Sequence, residues 1–83
     1  MIRILFFGAV RDAAGCSEMM CALPAHVGTP DALRNWLAER DPVLGEAVRK
    51  RGVRVVRDHA FCAFDDALAD ASEVAFVSPL SGG

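Results

Sequence analysis

The sequence predicts one α+β domain in which a mixed β-sheet packs on a single main helix. Its 83 residues leave room for one hydrophobic core and no second domain. Apolar side chains alternate near both ends of the chain, as they do in strands. A segment with strong helix-start signals lies between these ends, and further strands follow it. Strands, a helix and more strands in this order are typical of the α+β class.

The first two elements are predicted to be strands joined by a loop. Residues 1–8 form the first strand because their side chains fall into two alternating sets. The sets are Ile2, Ile4 and Phe6 on one face and Arg3, Leu5 and Phe7 on the other. Residues 9–16 are expected to be a loop closed by Gly15. Residues 18–23 are expected to pair with the first strand as a hairpin.

The main helix is predicted to begin at a Thr-Pro-Asp sequence, residues 29–31. Threonine can cap a helix, proline suits its first position, and an aspartate there complements the helix dipole. Helical spacing places three apolar side chains toward the core, those of Leu33, Trp36 and Leu37. Asp41-Pro42 ends this helix, and a short second helical segment follows before Gly52.

The second half of the chain returns to strands. Residues 53–56 and 61–64 are predicted strands, acidic residues at 65, 66 and 70 mark turns, and residues 73–77 form the last strand. We expect residues 1–78 to be the folded domain and 79–83 a flexible C-terminal tail that protrudes from it. The ubiquitin-like β-grasp fits this order. In that fold the first and last strands lie side by side in the middle of the sheet.

The outer face of the two central strands is also predicted to be apolar. Successive strand side chains point to opposite faces, so the set that does not face the helix points outward. The outer face would then carry Leu5, Phe7, Ala75 and Val77. An exposed apolar surface of this kind indicates a partner-binding site. The alternatives are a loop that covers the surface and a register shifted by one residue.

Composition argues against several functional classes. The net charge is −2, which does not favour nucleic acid. The basic stretch at 49–57 could contact an anion or an acidic partner, although a solvated helix end and hairpin are the favoured interpretation. The N-terminal stretch lacks the features of a signal peptide and is too short to span a membrane. A cytoplasmic protein that does not bind membranes is therefore expected.

Motifs for catalysis or metal binding are not found in the sequence. The three cysteines, Cys16, Cys21 and Cys62, lack C-x-x-C spacing, so neither a zinc site nor a disulfide framework is expected. His26 and His59 are interpreted as surface residues. No permanently bound cofactor and no metal is predicted, and by itself the chain does not look like an enzyme.

The C-terminus is the remaining reactive group. Gly82 and Gly83 have no Cβ atoms, so they can enter a channel too narrow for other residues. They also leave the terminal carboxylate of Gly83 open to attack. A carboxylate is a poor electrophile, but coupling to AMP gives a mixed anhydride that a sulfur or amine nucleophile can open. Pro79 stiffens the exit from the last strand.

Three stretches of the chain resemble the MoaD/ThiS family of ubiquitin-like sulfur carriers, on the branch of the molybdopterin synthase small subunit. They are the opening "IRILFFGAVRDAAG", the helix start "TPDALRNWL" and the closing "LADASEVAFVSPLSGG". The similarity runs over the whole chain, and the opening and closing stretches together are specific. The sequence departs from the family pattern in two turns. Asp70-Ala71-Ser72 stands where the family has Asp-Gly-Asp, and Asp58 replaces a common asparagine.

The resemblance implies a carrier cycle. An adenylating enzyme of the ubiquitin-activating type would use ATP to convert the Gly83 carboxylate to an acyl-adenylate. A sulfurtransferase would supply sulfur to give a Gly83 thiocarboxylate. The tail would then enter the large subunit of molybdopterin synthase, in a heterotetramer, and donate sulfur to cyclic pyranopterin monophosphate. The large subunit would provide the catalytic groups for forming the molybdopterin dithiolene.

The resemblance also implies a set of site residues. By position, Phe7, Phe61 and Val77 match the family's hydrophobic docking surface, and Leu80 and Ser81 extend the contact along the tail. Gly82 gives access to the partner's active site. The side-chain pattern alone does not orient Phe61.

Three other functions stay open from the sequence. A carrier for thiazole synthesis would share the chemistry, although the V-R-x-x-x-G loop favours the molybdopterin branch. A protein modifier would form isopeptide bonds through the same carboxylate. A plain interaction module would have an inert tail and should tolerate an added C-terminal residue.

Overall fold

A computed structural model describes residues 1–79 of the chain. It contains a five-stranded mixed sheet with strand order β2-β1-β5-β3-β4. The strands are β1 (Ile2–Phe7), β2 (Glu18–Cys21), β3 (Arg54–Arg57), β4 (Ala60–Cys62) and β5 (Glu73–Val77). The two central strands, β1 and β5, run parallel, and the other neighbouring pairs are antiparallel. The predicted β-grasp arrangement, with the first and last strands adjacent, is confirmed.

The chain also forms three helices, namely α1 (Ala9–Ala14), α2 (Pro30–Arg40) and α3 (Pro42–Val48). The main helix, α2, begins as predicted, because the Thr29 hydroxyl accepts a hydrogen bond from the Ala32 N–H at 3.1 Å. Asp41 ends α2, and its carboxylate caps α3 by accepting from the N–H groups of residues 43 and 44.

The prediction of a loop over residues 9–16 is wrong for residues 9–14, which form α1. The segment is rich in alanine, the best helix former, and Val10 anchors it in the core. Gly15 ends it in the left-handed conformation, with its N–H donating to the Arg11 carbonyl at 3.0 Å.

The core lies between the inner face of the sheet and α2. Ile4 and Phe6 of β1 and Val74 and Phe76 of β5 are fully buried there. They pack on α2 with its two buried leucines, Leu33 and Leu37. Trp36 packs against the edge of this core and is half-buried. The predicted alternation of β1 and β5 is therefore confirmed.

The turns on either side of β4 shorten the strands predicted there. Asp58 and His59 both have positive φ, 46° and 72°, and make the two-residue turn between β3 and β4. Strand β4 ends at Cys62 instead of residue 64, because the Asp66 carboxylate accepts from the Ala63 N–H at 2.8 Å and turns the chain. Val53 lies before β3 rather than in it, and is buried.

Candidate functional site

The outer face of the sheet carries a continuous row of apolar side chains. Strand pairing places Leu5 beside Ala75, Ala75 beside Val56, and Val56 beside Phe61. The next row toward the carboxyl ends of β1 and β5 consists of Phe7, Val77 and Arg54. We call the apolar members of both rows the outer patch, which comprises Leu5, Phe7, Val56, Phe61, Ala75 and Val77.

Two aromatic side chains dominate the exposed surface of the outer patch. Phe7 is 48% exposed and Phe61 is 60% exposed, whereas Val77 is half-buried between its neighbours. The outward orientation predicted for Phe7 and Val77 is confirmed, and Phe61 shares it because it pairs with Val56. No loop in the described part of the chain covers these two rings. Large exposed apolar side chains grouped in this way are characteristic of a protein-binding surface.

Arg54 borders the outer patch beside Phe61. Its guanidinium carbon lies 4.1 Å from the centre of the Phe61 ring, a cation–π contact. The sequence argument did not place Val56 in the site, and it considered Arg54 only as part of the basic stretch at 49–57. Their positions depend on the pairing of β3 with both β4 and β5, which a single strand's pattern does not reveal.

The opposite edge of the outer patch is charged. Arg3 lies 3.4 Å from the Glu18 carboxylate and 3.8 Å from that of Glu73. His59 Nδ1 is 3.6 Å from the other oxygen of Glu73, and this contact becomes an ion pair only when the imidazole is protonated. The apolar surface is therefore bounded by charges, which limits the orientations in which a partner can dock.

The chain leaves the sheet next to Phe7 and Val77. Because β1 and β5 are parallel, both end at the same edge, and Ser78 and Pro79 continue from there. A groove of about 500 Å³ opens beside Pro79, between α1 and α3. Lys50 and Arg51 line this groove together with Glu46. The other predicted site residues, Leu80, Ser81, Gly82 and Gly83, and the predicted protrusion of the tail lie outside the described residues.

The cysteines are distributed without a common site. Cys16 is exposed, whereas Cys21 and Cys62 are half-buried against the core. Burial raises the pKa of the Cys21 thiol, and the charge of Arg40 partly opposes the shift. Burial, with a smaller contribution from Asp66, also raises the pKa of Cys62, and Arg57 opposes it. Neither half-buried thiol is an activated nucleophile.

Two further findings concern metals and membranes. Within residues 1–79, no three His, Cys, Asp or Glu side chains come together in a way that could hold a metal ion. In the same range, none of the helices has the length and apolar character needed to cross a membrane.

The fold is that of a small ubiquitin-like β-grasp protein, with the exposed outer patch beside the end of its last strand. The structure of the small archaeal modifier protein SAMP1 from Haloferax volcanii has the same fold, with a TM-score of 0.79 and 22% identity over 99% of this chain and 98% of that one.

Sequence comparison gives the family. The model of the ThiS family matches residues 4–83, and the chain belongs to that family. The molybdopterin synthase sulfur carrier subunit of Escherichia coli (strain K12) is 32% identical over 83 residues, covering the whole of both chains. The protein of the same name from Chlamydomonas reinhardtii is 30% identical over 82 residues, or 99% of this chain and 98% of its own.

Proposed function

We propose that this chain is the sulfur carrier subunit of molybdopterin synthase and that the Gly83 carboxylate carries the sulfur. The observation that carries the proposal is the position of the outer patch. Its residues Phe7 and Val77 lie at the edge of the sheet from which Ser78 and Pro79 lead to the C-terminal glycines. Relatives that match the chain over its full length are named as carriers of this kind.

The first chemical step activates the carboxylate. An oxygen of the Gly83 carboxylate attacks the α-phosphorus of ATP in an adenylating enzyme of the ubiquitin-activating type. Pyrophosphate leaves, and the product is an acyl-adenylate, whose carbonyl carbon is a good electrophile. Because Gly82 and Gly83 carry no side chains, nothing on the carrier itself obstructs this carbon.

The second step exchanges oxygen for sulfur. A sulfurtransferase delivers sulfur at the oxidation level of sulfide, the sulfur attacks the carbonyl carbon, and AMP leaves with one former carboxylate oxygen. The result is a thiocarboxylate on Gly83. A thiocarboxylate stores sulfur in a form that can be passed on without a free sulfide ion in solution.

The third step is delivery. The outer patch docks on the large subunit, whose pocket binds cyclic pyranopterin monophosphate and supplies the acid–base groups. The dithiolene of molybdopterin contains two sulfur atoms, so each product consumes two charged carriers. A heterotetramer with two copies of each subunit fits this requirement.

Intact-mass analysis tests the proposal. The protein ending at Gly83 is incubated with ATP, a sulfur source, a sulfurtransferase and the adenylating enzyme of the molybdopterin pathway. The expected result is a mass increase equal to the difference between one sulfur and one oxygen atom. The charged carrier should then convert cyclic pyranopterin monophosphate to molybdopterin when the large subunit is added.

A carrier extended by one residue after Gly83 is the matched control. It keeps the whole domain and outer patch, so it should bind the large subunit normally but gain no sulfur. If the native-ended, folded protein never changes in mass, the proposal is wrong. If the protein is charged but only a thiazole-forming enzyme accepts its sulfur, the carrier chemistry stands and the pathway is different.

A further inference from the structure

Ser78 joins the chain that follows β5 to the junction of β1 and α1. Its hydroxyl oxygen accepts a hydrogen bond from the Ala9 N–H at 2.7 Å and donates one to the Phe7 carbonyl at 3.0 Å. The Ser78 N–H also points to the Phe7 carbonyl, at 3.4 Å. Ser78 is the one buried polar residue in the described part of the chain, with 9% of its surface exposed.

Two glycines make room for this connection. Gly8 has a φ of 68°, and a Cβ atom there would overlap the Ser78 hydroxyl. Gly52, with a φ of 92°, lies in the turn before β3, where a Cβ would come within 2.8 Å of Pro79 Cγ. We call Ser78 and Pro79 the tail root: Ser78 is buried against the β1–α1 junction, and the exposed Pro79 lies beside the turn that contains Gly52.

The tail root is not required to complete the hydrophobic core. The core cluster consists of apolar residues of the sheet, the helices and their connections, and includes neither Ser78 nor Pro79. Partly buried hydrogen bonds of this type contribute only modestly to the stability of a domain. The contacts instead fix the orientation of the backbone at the point where it leaves the sheet.

The orientation of the tail root matters because of the length of chain beyond it. The four residues after Pro79 can span at most about 13 Å. The direction of the chain at the tail root therefore sets the region that the Gly83 carboxylate can reach, and acyl transfer requires the reacting atoms to come within about 3.5 Å of each other.

We propose that Ser78 is a positioning residue that aligns the tail root with the outer patch. This inference rests on the proposed carrier function. The neighbouring Phe7 and Val77 determine where the domain docks, and Ser78 determines the direction in which the chain continues from that docked position. A partner bound to the outer patch then receives the Gly83 carboxylate after a search over fewer orientations.

The variant Ser78→Ala tests the proposal, with Ser72→Ala as the matched control. Ser72 is an exposed serine just before the same strand, and its hydroxyl makes no hydrogen bond within the described residues. Each variant is assayed for adenylation and for sulfur transfer to cyclic pyranopterin monophosphate in the presence of the large subunit. For Ser78→Ala we expect an unchanged KM, within about twofold, and a kcat lowered about tenfold, because docking is intact and fewer docked complexes are aligned. Ser72→Ala should match the unmodified protein.

A second measurement does not depend on sulfur chemistry. Residual dipolar couplings of the amide at residue 78 report the orientation of the tail root, and hydrogen exchange at Ala9 reports the loss of its acceptor. The couplings at residue 78 and the exchange rate at Ala9 should both change in Ser78→Ala. Neither should change in Ser72→Ala. Unchanged couplings, or an unchanged kcat in a carrier that is charged normally, would overturn the positioning role.

The two glycine positions offer an independent check. Gly52→Ala introduces strain at positive φ and also a clash with Pro79, whereas Gly15→Ala, at a φ of 75°, introduces strain with no neighbour within 4 Å. Only Gly52→Ala should lower kcat and shift the couplings at residue 78. Equal effects of the two variants would contradict the inference. Failure of the unmodified protein to gain sulfur would refute the carrier function instead, and the couplings would still decide the role of Ser78.

Discussion

Replacing Phe61 by alanine removes the most exposed aromatic ring of the outer patch. A phenylalanine side chain presents about 200 Å², and 60% of Phe61 is exposed in the free domain. A partner that covers the ring completely would therefore bury about 120 Å², worth about 3 kcal/mol at roughly 25 cal/mol per Å². Alanine keeps the Cβ part of this area, so the expected loss in binding is about 2 kcal/mol, or about thirtyfold in Kd.

The assay is titration calorimetry of the carrier with the purified large subunit of molybdopterin synthase. Phe64→Ala is the matched control, because Phe64 also lies under an arginine, with the Arg34 guanidinium 3.7 Å from its ring centre, but packs against the core. Phe64→Ala should destabilise the domain at least as much as Phe61→Ala and leave Kd unchanged. An unchanged Kd for folded Phe61→Ala, or an equal loss for Phe64→Ala, would refute the docking role of the outer patch.

Three further predictions concern the domain itself. Leu33→Ala should lower the free energy of unfolding by about 3 kcal/mol, because it leaves a cavity under the sheet; a loss below about 1 kcal/mol in urea denaturation would contradict this packing. Thr29→Ala should cost about 1 kcal/mol by removing the acceptor of the Ala32 N–H, while Thr29→Ser should restore most of it. At pH 8, iodoacetamide should modify the exposed Cys16 before Cys62, whose raised pKa leaves less thiolate; peptide mass analysis showing the reverse order would be evidence against burial of Cys62.

The orientation of most of the outer patch could be predicted from the sequence. The alternation in β1 and β5 assigns each side chain to a face, and the assignment holds for Phe7 and Val77. Phe61 could not be assigned, because its face depends on the register between β3 and β4. That register is set by the turn of Asp58 and His59, which both adopt positive φ without the glycine that usually announces such a turn.

Helix α1 could not be predicted from the sequence. It has six residues, too few to be stable as an isolated helix, so its conformation depends on packing of Val10 into the core. Gly15 closes this segment as expected, but the segment has no amphipathic pattern long enough to predict a helix. The contacts of Ser78 could not be predicted from the sequence either, because they join residues near opposite ends of the chain.

The two departures from the family pattern are compatible with ordinary turns. In the Asp70-Ala71-Ser72 segment, the residue with positive φ is Asp70, at 63°, and aspartate tolerates this conformation better than most residues. The Asp58 carboxylate accepts hydrogen bonds from the N–H groups of Ser72 and Glu73, both at 3.0 Å. The turn before β5 is thus held by the residue that replaces the asparagine.

Residues in and next to strands β1 and β5 contribute to folding, to docking and to the direction of the chain exit, and different assays can distinguish these three contributions. Their inner side chains, such as Phe6 and Phe76, are fully buried and maintain the fold, so changes there should appear first in the unfolding free energy. Under the proposed function, the outer Phe7 controls docking and should affect Kd with a smaller effect on stability. Ser78 follows the strand end and should affect kcat with little effect on Kd. Inner and outer side chains can have different roles because successive residues of a strand point to opposite faces. The parallel pairing of β1 with β5 brings Phe7 and the residues that follow β5 to one edge of the sheet.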